Sequence, residues 1–246
     1  MLQGSLSPLA LADMMALMTA KGSEMFQIKI CGVTSREDAE GACAAGADAI
    51  GFNFYENSPR FVQLSDARKM IEVVPSQVCK VGVFVNDDVA RICDVFDELQ
   101  LDAIQLHGDE PPPFLGLLGN RSIIRAFRCR DSGIEPVVEY LEKCSALGCV
   151  PQCVLMDAYY PGQYGGTGKV FDWTMVKGSS QKLYGAQVVL AGGLTADNVD
   201  KAIATAMPKA VDTASGVESS PGAVSYTHLR AHETDSYLVC RLLREK

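Results

Sequence analysis

At 246 residues, with 48% apolar and 21% charged side chains, the chain has material for one large α/β domain or two small ones around an ample core. A net charge of −8 and a pI near 4.9 argue against nucleic acid or an anionic membrane surface as the main partner. An anionic ligand must then be held by local groups working against the protein's own field.

Nine cysteines are scattered without paired spacing, which fits reduced thiols in the cytoplasm. Cys144, Cys149 and Cys153 lack both CxxC spacing and a nearby histidine, so no metal site is read there. No run approaches the ~20 apolar residues of a membrane span. Residues 1–24 read as an N-terminal extension in which Leu6, Leu9, Ala10, Met14, Leu17 and Met18 share one helical face. Asp13 interrupts it and no Lys or Arg precedes Lys21, which is wrong for a signal peptide, and Met25 is an alternative start.

From Phe26 onward, β-rich runs alternate with helical patterns. The runs are FQIKI, AIGFNF, VCKVGVFV, AIQL, IIRAF, CVLMD, QVVLA and AVD, eight candidate strands. Helices are expected over Ser35 to Ala45, Asp66 to Val73, Asp87 to Leu99, Pro112 to Leu118, Ile134 to Lys143, Asp172 to Val176 and Ala196 to Ala206. Thr34 and Glu37 have the spacing of a capping box for the first, whose Ala39, Ala42, Cys43 and Ala45 then face inward. The strands are continuous apolar runs, as expected where helices cover one face and a packed interior the other. Eight βα units over residues 25–223 predict a single-domain (β/α)8 TIM barrel. No GxGxxG follows the first strand, which weakens a dinucleotide-binding alternative.

In such barrels the site is built at the C-terminal ends of the strands. Those ends hold Cys31, Asn53, Phe84, Gln105 to His107, Arg125, Asp157, Gly192 with Gly193, and Asp212 to Gly216. AGGLTADNV after the seventh strand and DTASGVESSPG after the eighth are the two places where barrels hold phosphate, with glycines that let the backbone approach an anion. Thr195 and Asp197 are also placed to cap the seventh helix. Asp157 ends a buried apolar strand: it is either a capped structural aspartate or a general acid whose protonated form partial desolvation favours. The glycine-rich segment Gln163 to Gly168 has the composition of a closing lid. Arg60, in NSPRFV, is either a surface arginine or a fork for a carboxylate. His107 in QLHG is as compatible with a structural role as with a functional one. Cys31, in KICGVT, is either a space-filling thiol or a reactive one. Lys29 lies on its side of the strand only if no bulge intervenes.

Taken together, KICGVTSREDAEGACAAGADAIGFNFYENSPRFV, VGVFVN, AIQLHGDE, VLMDAYYPGQYGGTGKVFDW, AGGLTADNV and VDTASGVESSPG resemble, in order, the segments of phosphoribosylanthranilate isomerases of tryptophan biosynthesis, over about Lys29 to Gly222. The resemblance implies an Amadori rearrangement of N-(5-phosphoribosyl)anthranilate to 1-(2-carboxyphenylamino)-1-deoxyribulose 5-phosphate, without metal or organic cofactor. It implies Asp157 as general acid and Cys31, as thiolate, as general base. Arg60 would meet the anthranilate carboxylate, and Gly192, Gly193, Ser215 and Gly216 would hold the phosphate beside Asp212, with Gln105 and His107 lining the pocket. The partner implied is a small phosphoribosyl substrate, with no nucleic acid and no membrane, for which a monomer suffices. The alternatives are another phosphosugar isomerase, or a barrel that binds a phosphorylated ligand without turnover.

Two departures stand out. Where the family shows Asp-Val-Ser-Ser-Gly, this chain has Asp212, Thr213, Ala214, Ser215 and Gly216, so one candidate phosphate hydroxyl is a methyl while the backbone donors remain. After Gly222 the family runs into a last barrel-covering helix. Here residues 224–246, VSYTHLRAHETDSYLVCRLLREK, look unlike it, so the final helix is expected to be replaced or missing and the tail is read as non-native. His228 and His232 lack a third ligand for a metal.

Overall fold

The computed structural model describes residues 25–129, 133–158 and 172–224. Residues 1–24, the Gln163 to Gly168 segment and everything past Val224 lie outside the described residues. So do the expectations of an amphipathic extension, a lid and an altered last helix.

The strands are β1 (Ile28–Cys31), β2 (Ala49–Asn53), β3 (Cys79–Phe84), β4 (Ala103–Leu106), β5 (Ile123–Cys129), β6 (Cys153–Ala158), β7 (Gln187–Leu190) and β8 (Ala210–Thr213). They form a closed barrel in sequence order, with every pairing parallel and β8 returning to β1. Around it stand α1 (Arg36–Ala44), α2 (Leu64–Ile71), α3 (Val89–Leu99), α4 (Pro112–Leu117), α5 (Glu135–Ala146) and α6 (Val199–Ala206). The expected (β/α)8 architecture is therefore present. Between β6 and β7 the expected Asp172 to Val176 helix is a 3-10 turn, Trp173–Val176, with Asp172 capping it through Thr174 N. After β8 come a 3-10 turn, Ser215–Val217, and a hairpin of β9 (Glu218–Ser220) and β10 (Ala223–Val224).

The pleat decides what each strand contributes, because alternate residues face the barrel axis. One cluster of buried side chains, including Ala49, Val81, Ala103, Ile124, Ala126, Leu155, Val189 and Ala210, fills the interior. The opposite faces of the strands pack on the helices in two larger clusters. Continuing the inward sets towards the C-terminal ends gives Cys31, Gln105, Asp157 and Asp212. The same alternation turns Phe84 and Arg125 outward, contrary to their expected place at the mouth. Phe84 stacks on Phe54, with ring centroids 5.3 Å apart.

Two capping expectations are corrected. Ser35, not Thr34, caps α1, accepting from Asp38 N at 3.1 Å. Thr34 is drawn away because its hydroxyl donates to Gly222 O of the hairpin at 2.5 Å. Ala39 and Ala42 are buried under α1, with Cys43 and Ala45 partly so, as expected. α6 starts at Val199, later than Ala196, since Asn198 turns back into the loop. Its Oδ1 accepts from Thr195 N and its Nδ2 donates to Gly193 O, both at 2.9 Å, so it stabilises the turn that Thr195 and Asp197 were expected to cap.

Candidate active site

At the C-terminal mouth lies a cavity of about 300 Å³, within the size range of small-molecule sites. Cys31, Arg60, Gln105, His107, Asp157, Gly192, Gly193, Asp212 and Ser215 all line it. Gly216, also expected there, is not among the lining residues.

Lys29 and Cys31 share the inward face of β1, because its register against both neighbours runs without a shift (Lys29 opposite Ala49 and Asp212, Cys31 opposite Gly51). Lys29 is completely buried, and its Nζ lies 2.8 Å from Asp212 Oδ1. Burial works against the Lys29 charge, but Asp212 and then Cys31 outweigh it and raise its pKa above the ordinary lysine value. Cys31 is partly exposed to the pocket. Burial pushes its thiol upward, Lys29 opposes that, and Asp212 adds to it. Gly51 makes the arrangement possible: a Cβ there would stand 2.8 Å from Cys31 Sγ and 3.1 Å from Lys29 Nζ.

Asp157, 4% exposed at the end of β6, accepts from Ala158 N at 2.8 Å through Oδ1. Its Oδ2 is 3.3 Å from His107 Nε2, a contact that lacks hydrogen-bond alignment. Gln105 Nε2 lies 3.2 Å from His107 Nδ1, and as a donor there it leaves the ring proton on Nε2, facing Asp157. A side chain at Gly192, where φ is +81°, would collide with Ala158 N and crowd Asp157 Oδ1.

The loops after β7 and β8 are locked together. Thr213 Oγ1 donates to Leu194 O at 2.9 Å, and a Cβ at Gly216 would overlap that same carbonyl. Gly192 and Gly193 of the first loop and Thr213, Ala214 and Ser215 of the second line the same cavity.

Arg60 forks onto a carboxylate, but that carboxylate belongs to the protein. Nε and Nη2 donate to Glu218 Oε1 and Oε2, both at 2.6 Å. Glu218 Oε1 also accepts from Gly222 N at 3.2 Å, tying the arginine to the hairpin. This uses one edge of the guanidinium and leaves the Nη1 edge for a ligand.

Arg125, though buried, is outside the cavity. It donates to the carbonyls of Leu106, Ala126, Gly108 and Glu110, pairs with Glu110 at 3.3 Å, and lies over Phe127 and Tyr140. Its role is to fix the loop that follows Gln105 and His107.

Lys29 and Glu218 were not singled out from the sequence as site residues. A lysine two positions from Cys31 in an otherwise apolar strand was an available signal, whereas nothing local marks Glu218. Among the described residues no cluster of three His, Cys, Asp or Glu groups is placed to hold a metal, and no helix is long and apolar enough to cross a membrane.

A closed parallel eight-stranded barrel whose C-terminal mouth gathers Cys31, Asp157 and two glycine-containing loops in one cavity places the chain among the (β/α)8 barrel enzymes. The family model for N-(5'-phosphoribosyl)anthranilate (PRA) isomerase matches residues 28–233. The N-(5'-phosphoribosyl)anthranilate isomerase of Geobacter sulfurreducens is 44% identical over 199 residues, 80% of this chain and 92% of that protein. That of Azotobacter vinelandii is 44% identical over 203 residues, 82% and 93% of the two chains. The crystal structure of phosphoribosyl anthranilate isomerase from Thermotoga maritima superposes with a TM-score of 0.75 at 34% identity, covering 87% of this chain and 99% of that one. A phosphoribosyl anthranilate isomerase in complex with reduced 1-(o-carboxyphenylamino)-1-deoxyribulose 5-phosphate gives 0.70 at 34% identity, with 84% and 95% covered. The chain belongs to the N-(5'-phosphoribosyl)anthranilate isomerase family.

Proposed function

We propose that this mouth carries out the family's Amadori rearrangement of N-(5-phosphoribosyl)anthranilate, with Asp157 as general acid and Cys31 as general base. The order of strands supports this reading. Cys31 on β1 and Asp157 on β6 are separated in the barrel by β7 and β8, whose loops offer backbone N–H groups to a phosphate. Arg60, after β2 on the far side of β1, presents its remaining edge to the anthranilate carboxylate, with Val83 and Val85 as an apolar wall.

A phosphosugar bridging these groups lies with its ring between acid and base. Asp157 protonates the ring oxygen as the ring opens to the Schiff base. Cys31, as thiolate, removes the C2 proton, and the resulting enolamine tautomerises to the ketone. Gln105 and His107 line the pocket beside Asp157, with His107 Nε2 3.3 Å from its Oδ2. Free thiols at the described cysteines support a cytoplasmic setting for this reading, in which the partner is the small phosphoribosyl substrate.

The observation that carries the proposal is the convergence of Cys31, Asp157 and both anion loops on one cavity. The test is a fluorescence assay of substrate consumption by this chain and by a form whose residues 224–246 are replaced by a family-like final helix. Turnover in either supports the assignment. Ligand binding without turnover in both would instead make this a phosphate-binding barrel.

A further inference from the structure

Directly beneath Cys31, a lysine–aspartate pair is sealed inside an otherwise apolar interior. Lys29 Nζ and Asp212 Oδ1 are 2.8 Å apart, with side-chain exposures of 0% and 9%. Around them the inward residues include Ala49, Val81 and Ala103. A buried ion pair is weak evidence for stability, because well-packed apolar side chains of like volume usually serve the fold as well or better. The pair's placement points elsewhere. The β1–β8 register sets Lys29 opposite Asp212, and the pleat stacks Cys31 on the same face one step nearer the mouth. Gly51 supplies the gap in which the sulfur and the ammonium meet.

The charged groups facing Cys31 come from each element around it. Lys29 rises from β1, Asp212 from β8 and Arg60 from the loop after β2, while β2 itself presents only Gly51. Asp157 and His107 enter the same cavity from β6 and the end of β4.

We propose that Lys29 is a positioning residue for the general base: its ammonium, aimed by Asp212, favours the anionic form of Cys31 that accepts the substrate proton. This rests on Cys31 being the base. In the step itself Sγ takes the C2 proton and becomes a thiol, the C–H electron pair becomes the C1–C2 double bond as the C1–N π pair of the protonated Schiff base moves onto nitrogen to give the enolamine, and Lys29 keeps its proton throughout. Burial works against the thiolate, and in a low-dielectric interior one adjacent cation is the strongest available counterweight. Asp212 has a double part. It orients the ammonium, yet its own charge disfavours a second anion nearby.

The test reads the thiol without needing turnover. The rate of Cys31 alkylation by iodoacetamide is followed against pH, by peptide mass spectrometry, in the full chain and in its Lys29→Met variant. Lys29→Met is expected to move the inflection up by about one pH unit or more, a tenfold loss of thiolate at a given pH. Unfolding would let the buried thiol relax downward, so an upward shift in Lys29→Met cannot come from a damaged fold. An inflection in Lys29→Met at or below the parent's overturns the proposal. Steady-state rates of Cys31→Ser separate the two assignments: near-normal turnover there removes Cys31 as the base, whatever the alkylation shows.

Discussion

Arg60 and Glu218 face each other across the rim of the barrel in a fork of two parallel hydrogen bonds, each 2.6 Å, between the β2 loop and the hairpin after β8. The carboxylate holds the arginine in place instead of competing for all of it, because Nε and one Nη2 proton are used and the Nη1 edge remains. Gly32 is part of the same arrangement. Its φ of +78° turns the chain away, and a Cβ there would run into the arginine's stem. Glu218→Gln keeps the shape and removes the charge, so the guanidinium should wander. KM is expected to rise roughly tenfold, about 1.4 kcal/mol of binding, with kcat within about threefold. Steady-state kinetics decide it, and a fall in kcat at constant KM would place Glu218 in the chemistry instead.

The assigned acid and base make a different prediction. Cys31→Ser and Asp157→Asn each remove a proton-transfer group while leaving the anion loops and Arg60 untouched. Each should lose roughly 10²- to 10⁴-fold in kcat with little change in KM. The same assay measures both. Turnover near the parent rate in either variant would strip that residue of its role.

Much of the architecture could be read in advance, because the eight apolar runs and the glycine-rich turns carry periodicity that survives without any knowledge of packing. Which strand-end residues reach the cavity was less legible. Phe84 ends β3 as Cys31 ends β1, whereas β5 runs on past Arg125 to Cys129, and the pleat phase of the two strands sends both side chains outward. The Arg60 fork was foreseeable as chemistry but not as a contact with Glu218, a residue 158 positions away that the barrel's closure brings alongside. Thr34 shows the same limit at smaller scale. Its spacing suits a cap, yet a long-range hydrogen bond to Gly222 takes the hydroxyl and Ser35 replaces it.

The buried thiol also fixes the sign of the pH dependence. The base must be deprotonated to act, and burial places the Cys31 pKa above its ordinary value. At neutral pH the thiolate is then the minor form. Where removal of the C2 proton limits turnover after the ring has opened, kcat should climb by up to about tenfold per pH unit on the acid side of that pKa, through neutrality and into the mildly alkaline range. A flat profile between about pH 6 and 8 would mean that another group, or an already ionised thiol, limits the step.

Gly51 offers the most local test of how the base is held. A methyl group there would stand 2.8 Å from Cys31 Sγ and 3.1 Å from both Cys31 Cα and Lys29 Nζ, and the strand backbone leaves the Cα no room to retreat. In Gly51→Ala the sulfur and the ammonium must therefore give way, separating the two groups and displacing the thiol from the substrate. Misplacement on this scale typically costs about 10²-fold in rate, so kcat should fall by roughly that factor while the phosphate loops preserve KM. Gly116→Ala is the matched control. It lies in α4, where the nearest atom to an added Cβ is Cys149 Cβ at 3.9 Å, so it should leave kcat unchanged. The better helix propensity of alanine should also raise stability by up to about 1 kcal/mol. Kinetics and thermal melts on the two variants separate the effects, since equal losses of activity would show general intolerance of the glycine substitutions and not a crowded thiol.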